Sequence, residues 1–438
     1  MLSLINKLMW AFVVALIFIS SIYFTFKLKG VQFEFKEMFF NLFKKNSQKG
    51  ITPIQSFFMT LGSRIGVGSI AGVSLALYIG GPGTLFWMWI SAFLAAIITF
   101  AETILGIIYQ KKDGLNYKGG PSYYIKYGLN KPILGGIYAL LILISYVGGF
   151  VGIQGNTITK SILEIVKVPP CLIGILLVII TAFIIYGGLE KIAKYSSKIV
   201  PFMTFLYIGT SLYIISKNVT LLPAIIKKIF ISAFSLKSIY GGFLSSLIIG
   251  MQRGIFSNEA GLGTGSITSS TVSANSPVSQ GYVQILGVYI TTLLICTSTA
   301  LIVMTSNYNT LVLNDVNGIE LTQYAFKYHL GYFGNILLFI SILLFSFTTI
   351  LTGYYDGESS LKYFIKNIKP IHLNILKIAS LILLFVGTVL PSTFLWNIVD
   401  ILMAILACIN IYALIKLRED IFCSLKKYKF NLKGKNTC

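Results

Sequence analysis

Apolar runs of about twenty residues recur along this chain, and a helix needs about that length to cross a hydrocarbon layer. Eleven can be drawn, at roughly 5–26, 54–79, 84–109, 132–163, 171–187, 196–216, 239–265, 281–305, 333–354, 375–391 and 397–416. The pattern predicts an all-α integral membrane protein. Two of the runs resist a simple helical reading. Residues 61–75, LGSRIGVGSIAGVSL, carry Gly62, Gly66, Gly68 and Gly72 together with the charge of Arg64. Residues 253–263, RGIFSNEAGLG, repeat that character far downstream. Glycine weakens helical order and lets a ligand approach the backbone, and hydrocarbon tolerates freed peptide groups only against protein, water or a bound solute. Both runs are therefore expected to be helices interrupted at mid-membrane, an arrangement that points to a transporter's binding site.

Composition agrees. Of 438 residues 55% are hydrophobic and 11% charged, with a mean hydropathy of +0.81, too apolar for a domain with a water-facing surface. A formal charge of +21 invites a nucleic-acid partner, but the basic residues sit in short loops between apolar runs rather than in one patch, so no nucleic acid is expected. The cysteines, Cys171, Cys296, Cys408, Cys423 and Cys438, form no CxxC pair and read as free thiols. His329 and His372 both read as loop residues, which leaves no histidine metal site. The first run lacks a small-residue cleavage motif and reads as a retained helix.

Loop charge sets the orientation. Lys27, Lys29, Lys36, Lys44, Lys45 and Lys49 follow the first run, and Lys111, Lys112, Lys118, Lys126 and Lys131 follow the third. Lys191, Lys194 and Lys198, then Lys362, Lys366 and Lys369, then a tail beginning at Lys416 and Arg418, all fall on the same side, which is read as cytoplasmic. Lys217, Lys227, Lys228 and Lys237 dissent. The amino terminus is then outside and the carboxyl terminus inside. With the first run set aside, the interruptions open two groups of five spans, and an odd number per group inverts the second relative to the first. One membrane domain is expected over 1–438: an extra helix and basic loop in 1–50, five-helix repeats in 51–218 and 219–416, and a basic cytoplasmic tail in 417–438. The polar stretch 306–332, with Asp315 and Glu320, is long enough for a short surface helix acting as an outer lid.

Eight collinear segments resemble one family, the bacterial and archaeal alanine/glycine:cation symporters. They are ITPIQSFFMTLGSRIGVGSIAGVSLAL (51–77), GGPGTLFWMWISAFLAAIITFAE (80–102), GGPSYY (119–124), GGLEKIAKYSSKIVPFM (187–203), RGIFSNEAGLG (253–263), QGYVQILGVYITTLLICTSTALI (280–302), FSFTTIL (345–351) and LWNIVDILMAILACINIYALI (395–415). The resemblance implies a sodium- or proton-coupled amino-acid symporter in the plasma membrane. It also implies a leucine-transporter-type fold of five plus five inverted helices behind one extra helix.

A zwitterionic amino acid needs donors for its carboxylate and acceptors for its ammonium, and broken helices expose both. Gly66, Val67, Gly68 and Ser69 are expected to face it, with Phe256, Ser257 and Asn258 opposite. Gln154, in GIQGN, aligns with a glutamine that similar proteins place in the substrate site, and Asn156 is its weaker neighbour. By correspondence with the leucine-transporter fold, Thr348 and Thr349 hydroxyls with carbonyls of Gly62, Ile65 and Phe345 would hold sodium, a hard cation that wants oxygen ligands. Gln154 and the threonines have plain alternatives, helix-to-helix hydrogen bonding and bonds to their own helix carbonyls.

Of the charges, Glu102 is expected to brace the unwound seventh span. Arg253 and Glu259 are expected to pair across the second break or to help gate the inner side, and Asp400 reads as a helix-start or packing residue. Three positions vary from, or within, the family pattern. Arg64 stands where some similar proteins have a small or hydroxyl residue and must find an anion, with Glu102, Glu259 and the substrate carboxylate as candidates; it could also take the place of a second coupling cation. Ser69 replaces the asparagine of GNIAG. Gly353 falls at the position of a common tryptophan, unless Tyr354 takes that role by a shift of one, and it predicts a pocket larger than glycine needs. The expected function is sodium-driven import of a small neutral amino acid by alternating access, by a monomer without cofactor. The alternatives are proton coupling and a transport-incompetent amino-acid sensor. No HExxH, serine–histidine or metal-ligand constellation supports a membrane enzyme.

Overall fold

A computed structural model describes residues 2–43, 50–235, 242–272, 276–365 and 367–435. Lys44, Lys45, Lys49, Lys237, Lys366 and Cys438 lie outside them. The described chain is helical apart from one antiparallel hairpin that pairs Lys111–Asp113 with Asn116–Lys118 around Gly114.

Eight helices among the described residues are long and apolar enough to cross a membrane: Ile5–Lys27, Gly83–Ile108, Pro132–Leu163, Gly188–Lys217, Pro277–Met304, Gly318–Phe364, Pro370–Val389 and Thr393–Lys416. Each corresponds to one of the eleven expected spans. The other three expected spans fall short of that length for visible reasons. Pro170–Ile185 is apolar but has only 16 residues. The remaining two are the glycine-rich runs, whose helices stop early. The long helix Gly318–Phe364 turns sharply at Gly331 (φ 62°, ψ −148°), so its first part is a separate arm leading into the span. That arm makes His329 helical, and His372 likewise sits in the first turn of Pro370–Val389, so neither is the loop residue expected.

Helix Gly83–Ile108 is the hub. It packs against Pro277–Tyr289, Gly242–Asn258, Leu222–Phe234, Thr264–Ser269 and Leu2–Lys27. Small residues make this possible, as in membrane helix packing generally: a methyl on Gly281 would lie 2.8 Å from the Phe100 ring, and one on Gly250 2.7 Å from the Trp87 side chain. A second group gathers on Gly318–Phe364, which contacts Val151–Leu163, Gly188–Lys217, Pro53–Arg64 and Ala71–Gly80.

The basic loops meet at one end of the bundle. Lys429 pairs with Glu34 at 2.8 Å, Tyr109 donates to Asp420 at 2.7 Å, Lys131 reaches Tyr412 at 2.7 Å, and Lys362 pairs with Asp113 at 2.8 Å. The tail is itself a helix, Arg418–Lys435, laid against the short helix Phe35–Leu42 through Tyr428, which donates to Glu37 at 3.0 Å.

Candidate functional site

Both glycine-rich runs are interrupted. Helix Pro53–Arg64 starts on a capping box, in which Thr52 Oγ1 accepts from the Gln55 amide and the Gln55 side chain accepts from the Thr52 amide. It ends at Ile65, a single tight turn Val67–Ser69 follows, and helix resumes at Ala71–Gly80. Helix Gly242–Asn258 ends at Glu259 (φ 54°), and the chain passes through Gly261 (φ 86°) and Gly263 (φ 89°) before Thr264–Ser269. Left-handed backbone at a non-glycine residue is uncommon and marks a strained spot.

The two interruptions touch. A methyl on Gly68 would sit 2.9 Å from Phe256 Cδ1 and 3.4 Å from Ser257 Cα, so only glycine lets the first break lie this close to the second. Ser69 Oγ and Ser257 Oγ are hydrogen-bonded at 2.7 Å, and Ser257 continues to Cys296 Sγ at 3.1 Å. Asn258 faces elsewhere: its Nδ2 donates to Thr292 at 3.0 Å and its Oδ1 caps the Ala260 amide at 3.0 Å. Gln154 reaches the first break, where its Oε1 accepts the Val67 amide at 3.2 Å, while its buried Nε2 has no partner. Asn156, by contrast, ties its helix to the Gly387 and Leu390 carbonyls. Gly353 lies beside Tyr146 and Val151, where a methyl would make ordinary 3.6 Å contacts; Tyr354 turns away to donate to Glu358 at 2.9 Å.

Next to Gly66 the threonine pair converges on the same break. Thr348 Oγ1 donates to the carbonyls of Gly62 (3.1 Å) and Phe345 (3.0 Å), and Thr349 Oγ1 approaches those of Gly62 (3.0 Å), Ser63 (3.2 Å) and Phe345 (3.0 Å). Two hydroxyls and three carbonyls thus point into one spot, a set of hard oxygen donors suited to a small cation. The Ser63 carbonyl joins this set beyond the Gly62, Ile65 and Phe345 carbonyls expected from the sequence, and among the described residues neither threonine hydroxyl bonds to Ile65.

Arg64 is 1% exposed. Its Nη1 donates to the Gln284 carbonyl at 2.9 Å, its Nε and Nη2 have no partner, and the charges it faces are Glu102 and Glu259, without a direct ion pair to either. It fits because Gly265 and Gly287 lack side chains: methyls there would lie 2.6 and 2.5 Å from its nitrogens. Glu102 accepts the Gly263 amide (3.1 Å) and Asn410 Nδ2 (2.9 Å), and Asn410 also holds the Gly261 carbonyl, so both residues grip the second break.

Two expectations about charge need correcting. Arg253 does not pair with Glu259. It makes a two-pronged bond to Asp400, at 3.1 and 2.6 Å, while Glu259 accepts from Ser63 (3.0 Å) and Thr264 (2.9 Å). The glycine-rich turn after Asn258 carries Glu259 away from Arg253, which sits a turn and a half back on the helix. Asp400 is therefore an ion-pair partner, braced by Asn6 Nδ2 at 3.3 Å and, through its own carbonyl, by Trp10. Arg253 also does not lie on the basic-loop side. It lines a cavity of about 280 Å³ with Asn6, Asn156, Lys160, Glu320 and Trp396 at the other end of the bundle.

The sequence reading missed an aromatic row that runs from Tyr146 to Trp396 in the lining of this cavity. Tyr146 stacks on Phe150 (4.8 Å), Phe150 on Phe256 (5.2 Å), and Phe256 meets Trp396 (4.8 Å), with the Arg253 guanidinium 4.9 Å from the indole. The i, i+4 spacing of Tyr146 and Phe150 was a readable sign; their partners on other helices were not. Residues 143–150 form a π-helical stretch, a widened turn that often marks functional sites.

Comparison with known proteins decides the family. Residues 1–437 match the sequence profile of the "Sodium:alanine symporter family". The chain belongs to that family. A Bacillus subtilis (strain 168) relative, "Probable sodium/glutamine symporter GlnT", is 35% identical over 97% of this chain and 89% of its own length. A second from the same organism, "Amino-acid carrier protein AlsT", is 35% identical over 97% and 92%. Among solved structures, an Eremococcus coleocola manganese transporter in complex with an aromatic bis-isothiourea substituted compound superposes with a TM-score of 0.52 at 16% identity, over 81% of this chain and 76% of that one. That likeness shows a shared membrane-transporter fold. As a sodium:alanine symporter family member, the protein is a multi-pass amino-acid symporter and not an enzyme.

Proposed function

We propose that this symporter carries one small neutral amino acid, alanine- or glycine-like or somewhat larger, into the cell together with sodium, by alternating access across the plasma membrane. The observation that carries the reading is the convergence of Thr348 and Thr349 with the Gly62 and Ser63 carbonyls beside Gln154 and Gly66. A cation there and a zwitterion between residues 66–69 and Phe256 and Ser257 would share the first break, so each would help order the backbone that binds the other. Gly353 favours substrates larger than glycine, and a relative named for glutamine is consistent with that.

In this reading the two interrupted runs are the discontinuous helices of a five-plus-five inverted repeat behind one extra helix, eleven spans in all. The basic loops face the cytoplasm, and the cavity above Arg253, Trp396 and Phe256 is the outer approach. Closure at the basic end falls to Lys362, held by Asp113 and Glu358 at 2.8 and 2.9 Å. Substrate and ion binding would let one end open only when the other has closed.

The test is uptake of labelled amino acids into proteoliposomes under imposed sodium or proton gradients. Concentrative uptake of alanine, glycine or a larger neutral amino acid on a sodium gradient is expected. Binding without net uptake would instead support a sensor.

A further inference from the structure

Asp356 differs from every other acid described inside the bundle. It is 1% exposed and neither of its carboxylate oxygens has a hydrogen-bond partner. Glu102, Glu259 and Asp400, equally buried, all hold donors. Asp356 lies one turn beyond Thr352 on the stripe Phe345, Thr349, Thr352, Asp356, so it sits on the helix face that carries the cation donors, displaced toward the Lys362–Asp113 closure.

Among the described residues its surroundings offer no counter-charge. The acid facing it is Glu259, from the second break. Among the described residues Tyr138, Tyr146 and, on its own helix, Tyr355 also face it. The Tyr138 hydroxyl is engaged with the Leu262 carbonyl and the Tyr146 hydroxyl with Thr264. Lys362, two turns further on, is taken by Asp113 and Glu358, and Arg64 faces Glu102 and Glu259. An ionised carboxylate without donors, deep in a membrane protein and opposite a second carboxylate, is strongly disfavoured. Neutralisation by a bound proton removes both penalties at once.

We propose that Asp356 is a proton-binding residue of the transport cycle. Its carboxylate takes one proton from water when the chain is open, stays neutral while the site is closed, and releases the proton to water on the basic-loop side when that end opens and hydrates it. A proton would then accompany the amino acid beside the cation at Thr348 and Thr349. The coupling to transport rests on the symport reading above; the protonation of Asp356 does not.

Infrared difference spectra of the full-length protein in lipid, titrated in pH without sodium, test the protonation directly. Wild type should show a protonated-carboxyl stretch that Asp356→Asn lacks and Asp356→Glu restores at a shifted position. A spectrum without that band, or one unchanged in Asp356→Asn, overturns the proposal. So does a band abolished by sodium at constant pH, which would make the site a second metal-cation site. In proteoliposomes, amino-acid uptake by wild type should bring a proton influx reported by trapped pyranine, lost in Asp356→Asn and regained in Asp356→Glu; equal influx in all three overturns the coupling. If wild type takes up no amino acid at all, the symport reading fails, and the infrared titration still decides Asp356.

Discussion

Thr349 Oγ1 lies 3.0 Å from the carbonyl oxygen of Gly62. One belongs to an unbroken helix and the other to the last turn before a break, so the bond joins a rigid wall to a stretch of chain with peptide groups to spare. A hydroxyl can turn its proton away and present a lone pair instead, and the same atoms that now bond one another can then surround a cation.

Thr349→Ala and Thr348→Ala should therefore raise the sodium concentration needed for half-maximal uptake. Loss of one oxygen partner costs on the order of 1–3 kcal/mol, or about 5- to 150-fold in apparent affinity. Thr349→Ser should stay near wild type. Sodium titration of initial uptake rates measures this, and an unaltered sodium dependence in both alanine variants would move the ion elsewhere.

Gly68→Ala should abolish transport while leaving a folded protein. The new methyl would press on Phe256, 2.9 Å away, and that ring is held between Phe150 and Trp396. Overpacking of this kind costs about 1–3 kcal/mol. Size-exclusion elution together with uptake separates folding from function, and partial recovery in Gly68→Ala/Phe256→Leu would assign the defect to this contact.

Arg253→Ala and Asp400→Asn should each destabilise the protein markedly. Removing one partner of a buried ion pair costs about 3–5 kcal/mol, whereas replacing both with apolar residues is often neutral. Thermal unfolding in detergent should show the single variants well below wild type, with Arg253→Met/Asp400→Leu close to it. Equal losses in the single and double variants would argue that the pair itself contributes the stability, rather than that a lone buried charge costs it.

The Asp113 closure has a predictable pH range. Burial by itself would raise the Asp113 carboxyl, but the hydrogen bond and charge of Lys362, helped by Lys118, outweigh it and hold the group below its ordinary value of 3.8. A depressed value means the pairing stabilises the closed end fully above the ordinary value and is lost only as pH falls through the lowered one. Hydrogen exchange of the hairpin 111–118 should thus be unaffected by this group between about pH 5 and 8, and Asp113→Asn should accelerate it across that range. Any pH dependence of uptake near neutrality must then come from another group.

The breaks were legible because Gly66, Gly68, Gly261 and Gly263 stand out in apolar surroundings, and the threonine pair because two adjacent hydroxyls are conspicuous in FSFTTIL. Partners distant in sequence were not. Nothing near Arg253 announces Asp400, 147 residues away, and the nearer acid Glu259 drew the assignment because chain proximity is all a sequence displays. Trp396 closes the aromatic row from the last span, again out of local reach. Asp356 was in plain view within TGYYDGE, but its meaning lies in what surrounds it: an aspartate at a helix end and one sealed among tyrosines read identically in one dimension.

Helix Pro170–Ile185, with its 16 residues, extends only about 24 Å at 1.5 Å per residue, against a hydrocarbon thickness of about 30 Å. In the eleven-span reading it falls about 6 Å short, a mismatch that a local thinning of the bilayer or snorkelling of flanking side chains would absorb. On that reading initial uptake rates should rise in proteoliposomes of shorter acyl chains, and rates independent of chain length would take this helix out of the set of spans.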